Sequence, residues 1–219
     1  MSYRFDCADS SGRGRGLARA KAVLDEGDLV VLPTESAYGV ACDAFSAPGL
    51  AALRVAKGNR RLAPPVLIAS ARTLDGLATR ISAEVRDLAA AFWPGPLTLV
   101  CRAQPSLNWG LTGADGTVSL RMPLHPVALQ LLAATGPLAL TGANTAGRPL
   151  PTSYEQAQEQ LGDLVAVYLD AGPLGSAAAT STVVDGRGPV PQVLRRGGLT
   201  VERLRDVVPG LLDLEQTSV

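Results

Sequence analysis

Leu29-Val30-Val31-Leu32-Pro33-Thr34-Glu35-Ser36-Ala37-Tyr38-Gly39 is a short apolar run that ends at a proline and passes at once into a polar, small-residue turn. Four consecutive apolar residues bounded this way predict a strand buried on both faces. Before it, Leu17 to Glu26 carries apolar residues at helical spacing and stops at Gly27. After it, Ser46 caps a predicted helix from Pro48 to Ala56 that closes at Gly58. The alternation continues outward. Strands are predicted at 66–69, 97–101, 118–122, 138–141, 165–169, 182–185 and 190–194, with helices at 82–92, 126–134, 154–161 and 201–208. Interleaved strands and helices predict an α/β fold, a twisted, mostly mixed sheet flanked by helices. No repeat or low-complexity linker divides it, so one domain is expected over 17–208. Residues 1–16 and 209–219 are expected to be flexible tails.

Composition narrows the function classes. The 219 residues are 47% hydrophobic and 18% charged, with 20 basic and 20 acidic side chains. A formal charge of zero gives no global attraction for a polyanion, although a local basic face is compatible with it. No apolar run is long enough for a bilayer and the first residues lack a signal-peptide pattern, so the expectation is a soluble cytoplasmic protein with no membrane role. One histidine, His125, and three cysteines, Cys7, Cys42 and Cys101, without a CxxC pair exclude a conventional zinc site and disfavour a disulfide framework. His125, in Pro123-Leu124-His125-Pro126, reads as a helix start rather than a triad base. Neither GxxxxGK[ST] nor a GxGxxG after a strand is present, so any nucleotide needs another arrangement.

Three polar strand-end loops stand out: 33–39, 121–123 and 141–149. Ligands of open α/β sheets sit at such ends, where small residues let backbone N–H groups approach an anion. Each loop alone reads better as a turn; three on one sheet point to a polar-ligand site. Lysine is scarce, with Lys21 and Lys57 against eighteen arginines. Lys21 reads as a solvated helix residue. Lys57, before Gly58-Asn59-Arg60-Arg61, reads either as a phosphate-binding cation or as a charge on a helix C-terminus.

Five segments carry a family resemblance. Leu32-Pro33-Thr34-Glu35-Ser36-Ala37-Tyr38-Gly39-Val40, Phe92-Trp93-Pro94-Gly95-Pro96-Leu97-Thr98, Ser119-Leu120-Arg121-Met122-Pro123-Leu124-His125-Pro126, Ser181-Thr182-Val183-Val184-Asp185 and Leu194-Arg195-Arg196-Gly197 occur in order along nearly the whole chain. They resemble the motifs of the YrdC-like threonylcarbamoyl-AMP synthases. The resemblance implies a concave, positively charged ligand-binding face. It also implies a nucleotidyltransferase that joins L-threonine, bicarbonate and ATP, with Mg²⁺, and releases pyrophosphate. The product would serve tRNA threonylcarbamoyladenosine modification, with tRNA and the proteins that consume the adenylate as partners. By the same resemblance Thr34, Arg121 and Ser181 would hold threonine. Lys57, Arg60, Thr117, Thr141, Asn144 and Arg195 would face the nucleotide, with Lys57, Arg61 and Asn144 nearest the chemistry and no metal held by protein side chains.

Two positions depart from that pattern. Asn59 stands where the family's Lys-x-Arg signature has arginine, with Arg60 and Arg61 displaced. Gly142-Ala143-Asn144 replaces Ser-Ala-Asn, so a hydroxyl is missing. The departures keep two alternatives in view. One is a diverged paralogue that forms or transfers a carbamoyl-adenylate to another substrate; the other is a non-catalytic RNA-binding module.

Overall fold

The computed structural model describes residues 1–59, 63–107, 109–111, 115–175 and 180–214. In chain order the elements are β1 (Tyr3–Asp6), α1 (Ser10–Asp25), β2 (Val30–Pro33), β3 (Tyr38–Asp43), α2 (Ala47–Ala56), β4 (Val66–Leu67), α3 (Leu74–Leu77) and β5 (Ala78–Thr79). They continue with α4 (Ala83–Phe92), β6 (Leu97–Ala103), β7 (Thr117–Arg121), α5 (Pro126–Thr135), β8 (Leu138–Gly142) and α6 (Tyr154–Leu161). The last are β9 (Val167–Asp170), β10 (Thr182–Asp185), β11 (Gln192–Arg195) and α7 (Val201–Val207). Among the described residues all strands join one sheet in the order β1-β9-β2-β3-β8-β4-β7-β6-β10-β11, with β5 on β6. Parallel pairs (β1–β9, β2–β9, β4–β7, β6–β10) mix with antiparallel ones, so the sheet is mixed, as the interleaved pattern predicts.

Period-two alternation sends side chains to two cores. Val31, Ala139 and Tyr168 join a large core with Leu50 and Leu53 of α2, Val85 and Leu88 of α4, and Leu161 of α6. Their strand neighbours Val30, Leu32, Leu138, Leu140, Val167 and Leu169 point the other way, onto Val23 and Leu24 of α1 and Leu131 and Leu132 of α5. α1 packs on β1, β9, β2 and β3, and α5 packs on β2 and α1. These two helices therefore cover one half of their face, and the half over β7, β6 and β10 stays uncovered by them. There the outward residues turn polar: Thr98, Ser119 and Arg121 alternate with the core residues Leu97, Leu99, Val118 and Leu120. Thr98 and Arg121 there are only 5% and 8% exposed, so the polar side chains sit in a recess, a place for a polar ligand.

The N-terminal residues form no free tail. Tyr3–Asp6 adds β1 to the edge of β9, and α1 starts at Ser10, with Asp9 as its N-cap accepting from Gly12 N–H at 2.7 Å. The glycine-rich stretch that reads as mobile is what permits the packing. A Cβ on Gly12 would overlap the Asp6 carbonyl, and one on Gly16 would lie 2.8 Å from Phe5 Cβ. At the other end Val208 and Leu211 are buried, and Leu212 bridges to Gln192, so the domain continues past residue 208. β3 is a further strand, since Tyr38 to Asp43 continues from the turn that begins at Pro33. No helix among the described residues is long and apolar enough to cross a membrane.

Candidate active site

The uncovered half-face holds a cavity of about 360 Å³. Its wall is built from the loop between β2 and β3 (Thr34, Ser36), from β6 and β7 (Thr98, Ser119, Arg121), from β8 (Thr141, Gly142) and from Ser181 and Arg195. Residues on or beside β2, β6, β7, β8, β10 and β11 thus converge on one hollow, whose hydroxyls and two guanidinium groups are set among apolar neighbours such as Leu67, Leu140 and Val183.

Each wall residue is fixed by a local reason. Thr34 follows the proline that ends β2, and its hydroxyl donates to Ala37 O at 2.7 Å while its N–H donates to the same oxygen at 3.0 Å. The threonine is therefore the staple of the turn, and its side-chain oxygen receives the Ser36 and Ala37 N–H groups at long range, 3.4 Å each. Tyr38, also on the wall, donates its phenol to Gly172 O at 2.7 Å and accepts from Ala171 N–H. Burial holds that phenol well above its usual titration range.

Arg121 ends β7 and is only 8% exposed. Its Nη2 donates to Glu35 Oε1 at 2.6 Å, and its Nε is buried with no partner. Arg195 ends β11 and lies across Ser181. Nη2 donates to Ser181 O at 2.8 Å and Oγ at 3.1 Å, and Ser181 Oγ pairs with Thr98 Oγ1 at 2.8 Å. Burial lowers the Arg195 pKa, and the nearby Arg121 charge lowers it further. Two like charges facing one small hollow favour an anion between them.

Lys57 and Asn144 meet, as the resemblance implies, but beside the wall. Lys57 is the C-cap residue of α2, and its Nζ reaches Gly142 O at 2.8 Å, Asn144 Oδ1 at 2.9 Å and Asn144 O. The ammonium thereby clasps the loop after β8, and burial lowers its pKa. Neither a bare helix-end charge nor a cation free for phosphate describes it. Asn144 completes the loop by donating Nδ2 to Arg148 O at 2.7 Å.

Thr117 does not line this cavity. It starts β7, at the far end from Arg121, and its hydroxyl donates to Asp115. Ser119, on the same face two residues on, takes the place at the wall. Strand parity alone cannot separate these two, because both point the same way. Arg60 and Arg61 lie outside the described residues. Sequence reasoning misses Thr98, Ser119, Tyr38 and Glu35. The alternation Val118-Ser119-Leu120-Arg121 is the signal for Ser119, a polar face opposite a buried one. No carboxylate stands on this wall among the described residues. Its hydroxyls and guanidiniums are a poor ligand set for Mg²⁺, so these residues do not fit a protein-held ion.

Comparison with known proteins places the geometry. The model of the Sua5, YciO and YrdC proteins, described as telomere recombination, matches residues 22–197. The chain belongs to the Sua5/YciO/YrdC family. Within it, a Mycobacterium tuberculosis relative with the provisional name threonylcarbamoyl-AMP synthase is 49% identical over 95% of this chain and 96% of its own. The threonylcarbamoyl-AMP synthase of Bacillus subtilis is 35% identical over 88% of this chain and 56% of that protein. The structure of Pyrococcus abyssi Sua5 complexed with L-threonine superposes with a TM-score of 0.87 at 31% identity, covering all of this chain and 65% of that one. The chain therefore spans about two thirds of the Pyrococcus protein and just over half of the Bacillus one. The mixed sheet with flanking helices is the fold of the Sua5/YciO/YrdC family.

Proposed function

We propose that this family member synthesises threonylcarbamoyl-AMP from L-threonine, bicarbonate and ATP, releasing pyrophosphate, for the proteins that install threonylcarbamoyladenosine in tRNA. The observation that carries the reading is the pair Arg121 and Arg195 facing one hydroxyl-lined hollow. Arg121 presents a planar fork suited to the threonine carboxylate. Thr34 and Ser181 stand on the same wall for the rest of the amino acid, while Arg195, Ser119 and Thr141 line the approach for phosphates. Lys57 and Asn144 act from beside the wall by holding the loop that carries Gly142.

The reaction is two condensations. The threonine amine forms an N–C bond to bicarbonate carbon, and water leaves with an amine proton. A carbamate oxygen then forms a bond to the α-phosphorus of ATP as the bond to pyrophosphate breaks, and pyrophosphate departs with the electron pair. Both steps bring anions together, so positive charge and oriented donors do the work, with no need for a nucleophilic side chain. The buried thiols Cys7, Cys42 and Cys101 agree with that, since burial raises all three pKa values, Cys7 to about 11 and Cys42 and Cys101 to about 12. The test is direct. Pure protein with ATP, L-threonine, bicarbonate and Mg²⁺ should release pyrophosphate, and omission of threonine should stop it. Release that ignores threonine but follows another amine would assign the chain to a carbamoyl transfer on that amine instead.

A further inference from the structure

We infer that Glu35 is a positioning residue for Arg121, a carboxylate that holds the guanidinium in place and so determines affinity for an α-amino acid carboxylate. Glu35 lies in the β2–β3 loop between two wall residues, Thr34 and Ser36, yet it does not line the cavity itself. Its side chain, only 16% exposed, meets an Arg121 side chain only 10% exposed. One oxygen, Oε1, accepts from Arg121 Nη2 at 2.6 Å, and the other, Oε2, accepts weakly from Leu124 N–H at 3.4 Å. The carboxylate therefore ties the loop after β2 to the segment after β7. It grips the fork from outside the cavity, through a single nitrogen.

A guanidinium buried this far needs a counter-charge, and a lone partner removed from such a pair leaves the other uncompensated. Among the described residues Glu35 is the only carboxylate bonded to Arg121. Arg195, the other guanidinium on the wall, lies against the neutral oxygens of Ser181. The contact between Glu35 and Arg121 is monodentate, and Nε is buried without an acceptor. A fork gripped at one nitrogen keeps donors for a second carboxylate while the head group is held in place. Glu35 also offsets one of two neighbouring cations, so the hollow need not hold both unbalanced.

The inference rests on the reading of Arg121 as the carboxylate fork, and the experiment separates the two. Threonine and ATP affinities are measured by calorimetry for the native protein, Glu35→Gln, Glu35→Asp and Arg121→Lys, with thermal melts alongside. Glu35→Gln should raise the threonine Kd at least about tenfold and leave the ATP Kd within about twofold. Glu35→Asp, which restores the charge one methylene short, should fall between Gln and native. If Arg121→Lys weakens threonine but Glu35→Gln does not, Glu35 is no positioning residue and the fork stands. If Arg121→Lys leaves threonine affinity intact, the fork fails and the inference with it. Equal loss of both ligands in Glu35→Gln marks a general structural role and overturns the inference. Should Glu35→Gln not fold, Glu35→Asp decides: a raised threonine KM at unchanged ATP KM supports the assignment, and an unchanged threonine KM refutes it.

Discussion

Lys57 joins a helix end to a loop through three oxygens, and that arrangement changes what its removal does. Lys57→Met strips the acceptors Gly142 O, Asn144 O and Asn144 Oδ1 of a charged donor, worth about 1.5–3 kcal/mol in a partly buried setting. Stability and nucleotide affinity should therefore fall together, seen as a lower melting temperature alongside a higher ATP Kd. Loss of ATP affinity with an unchanged melt would show an ammonium that leaves the loop to meet phosphate. Gly142 is a second position where neighbours decide the sign. A Cβ there would overlap the Leu150 side chain and come within 2.7 Å of Asn144 Oδ1, the atom that receives Lys57. Restoring the family's serine should thus not simply raise nucleotide affinity. Gly142→Ser is expected to lose about 1–3 kcal/mol of stability to crowding. Leu150, 39% exposed at the rim, is open to trimming. Gly142→Ser with Leu150→Ala should recover stability in a denaturant melt, and only that double variant tests whether the hydroxyl helps ATP.

Among the elements, two helix starts carry the clearest consequences. α5 is capped by His125, whose Nδ1 accepts from Val127 N–H at 3.3 Å and which must be unprotonated there to do so. Burial lowers its pKa below the ordinary 6.5, and Glu35 only partly offsets this. In the unfolded chain the imidazole binds its proton more readily. The stabilisation is therefore complete above about pH 6.5 and is lost as pH falls through the lower folded value. Urea melts from about pH 7.5 to about pH 5 should show that loss, and His125→Asn, a cap that does not titrate, should remove this component. α1 is the second case. Gly16→Val would drive a branched side chain into Phe5 and Leu169, where even a Cβ lies 2.8 Å from Phe5 Cβ. The variant should release β1 from β9 and melt several degrees lower, whereas Gly14→Ala, with open space around it, should be neutral or stabilising. These glycines show where sequence reading stops. The buried runs 29–32, 97–101 and 138–141 declare themselves by apolar continuity, and Ser46, Ser82 and His125 declare helix starts by residue type. Gly12 and Gly16 look like linker because their purpose, close approach to β1, depends on a contact the local pattern does not contain.

Across the whole molecule the same distinction holds for the site. Its loops are legible because prolines, threonines and glycines at strand ends announce a turn that can face a ligand. Thr34, Arg121, Thr141, Ser181 and Arg195 do reach one wall. The Glu35–Arg121 pair is not legible, since its members stand 86 positions apart and only the strand order brings them together. Thr117 and Ser119 differ in distance along one strand, which periodicity cannot measure.

That strand order also governs the time at which the protein can exist. Among the described residues β1 forms its only ladder with β9, Tyr3 opposite Val167 and Asp6 opposite Asp170, and β2 lies on the other edge of the same strand. β1 therefore waits for about 160 further residues to be made before its partner emerges. Closing so long a loop costs entropy that is regained only at the end, so folding belongs to the slow regime of non-local sheets. During that wait the N-terminal segment is open to proteases. Nascent chains arrested before residue 167 should be trimmed at their N-termini by a protease pulse, while those arrested with residue 170 well clear of the exit tunnel should be protected.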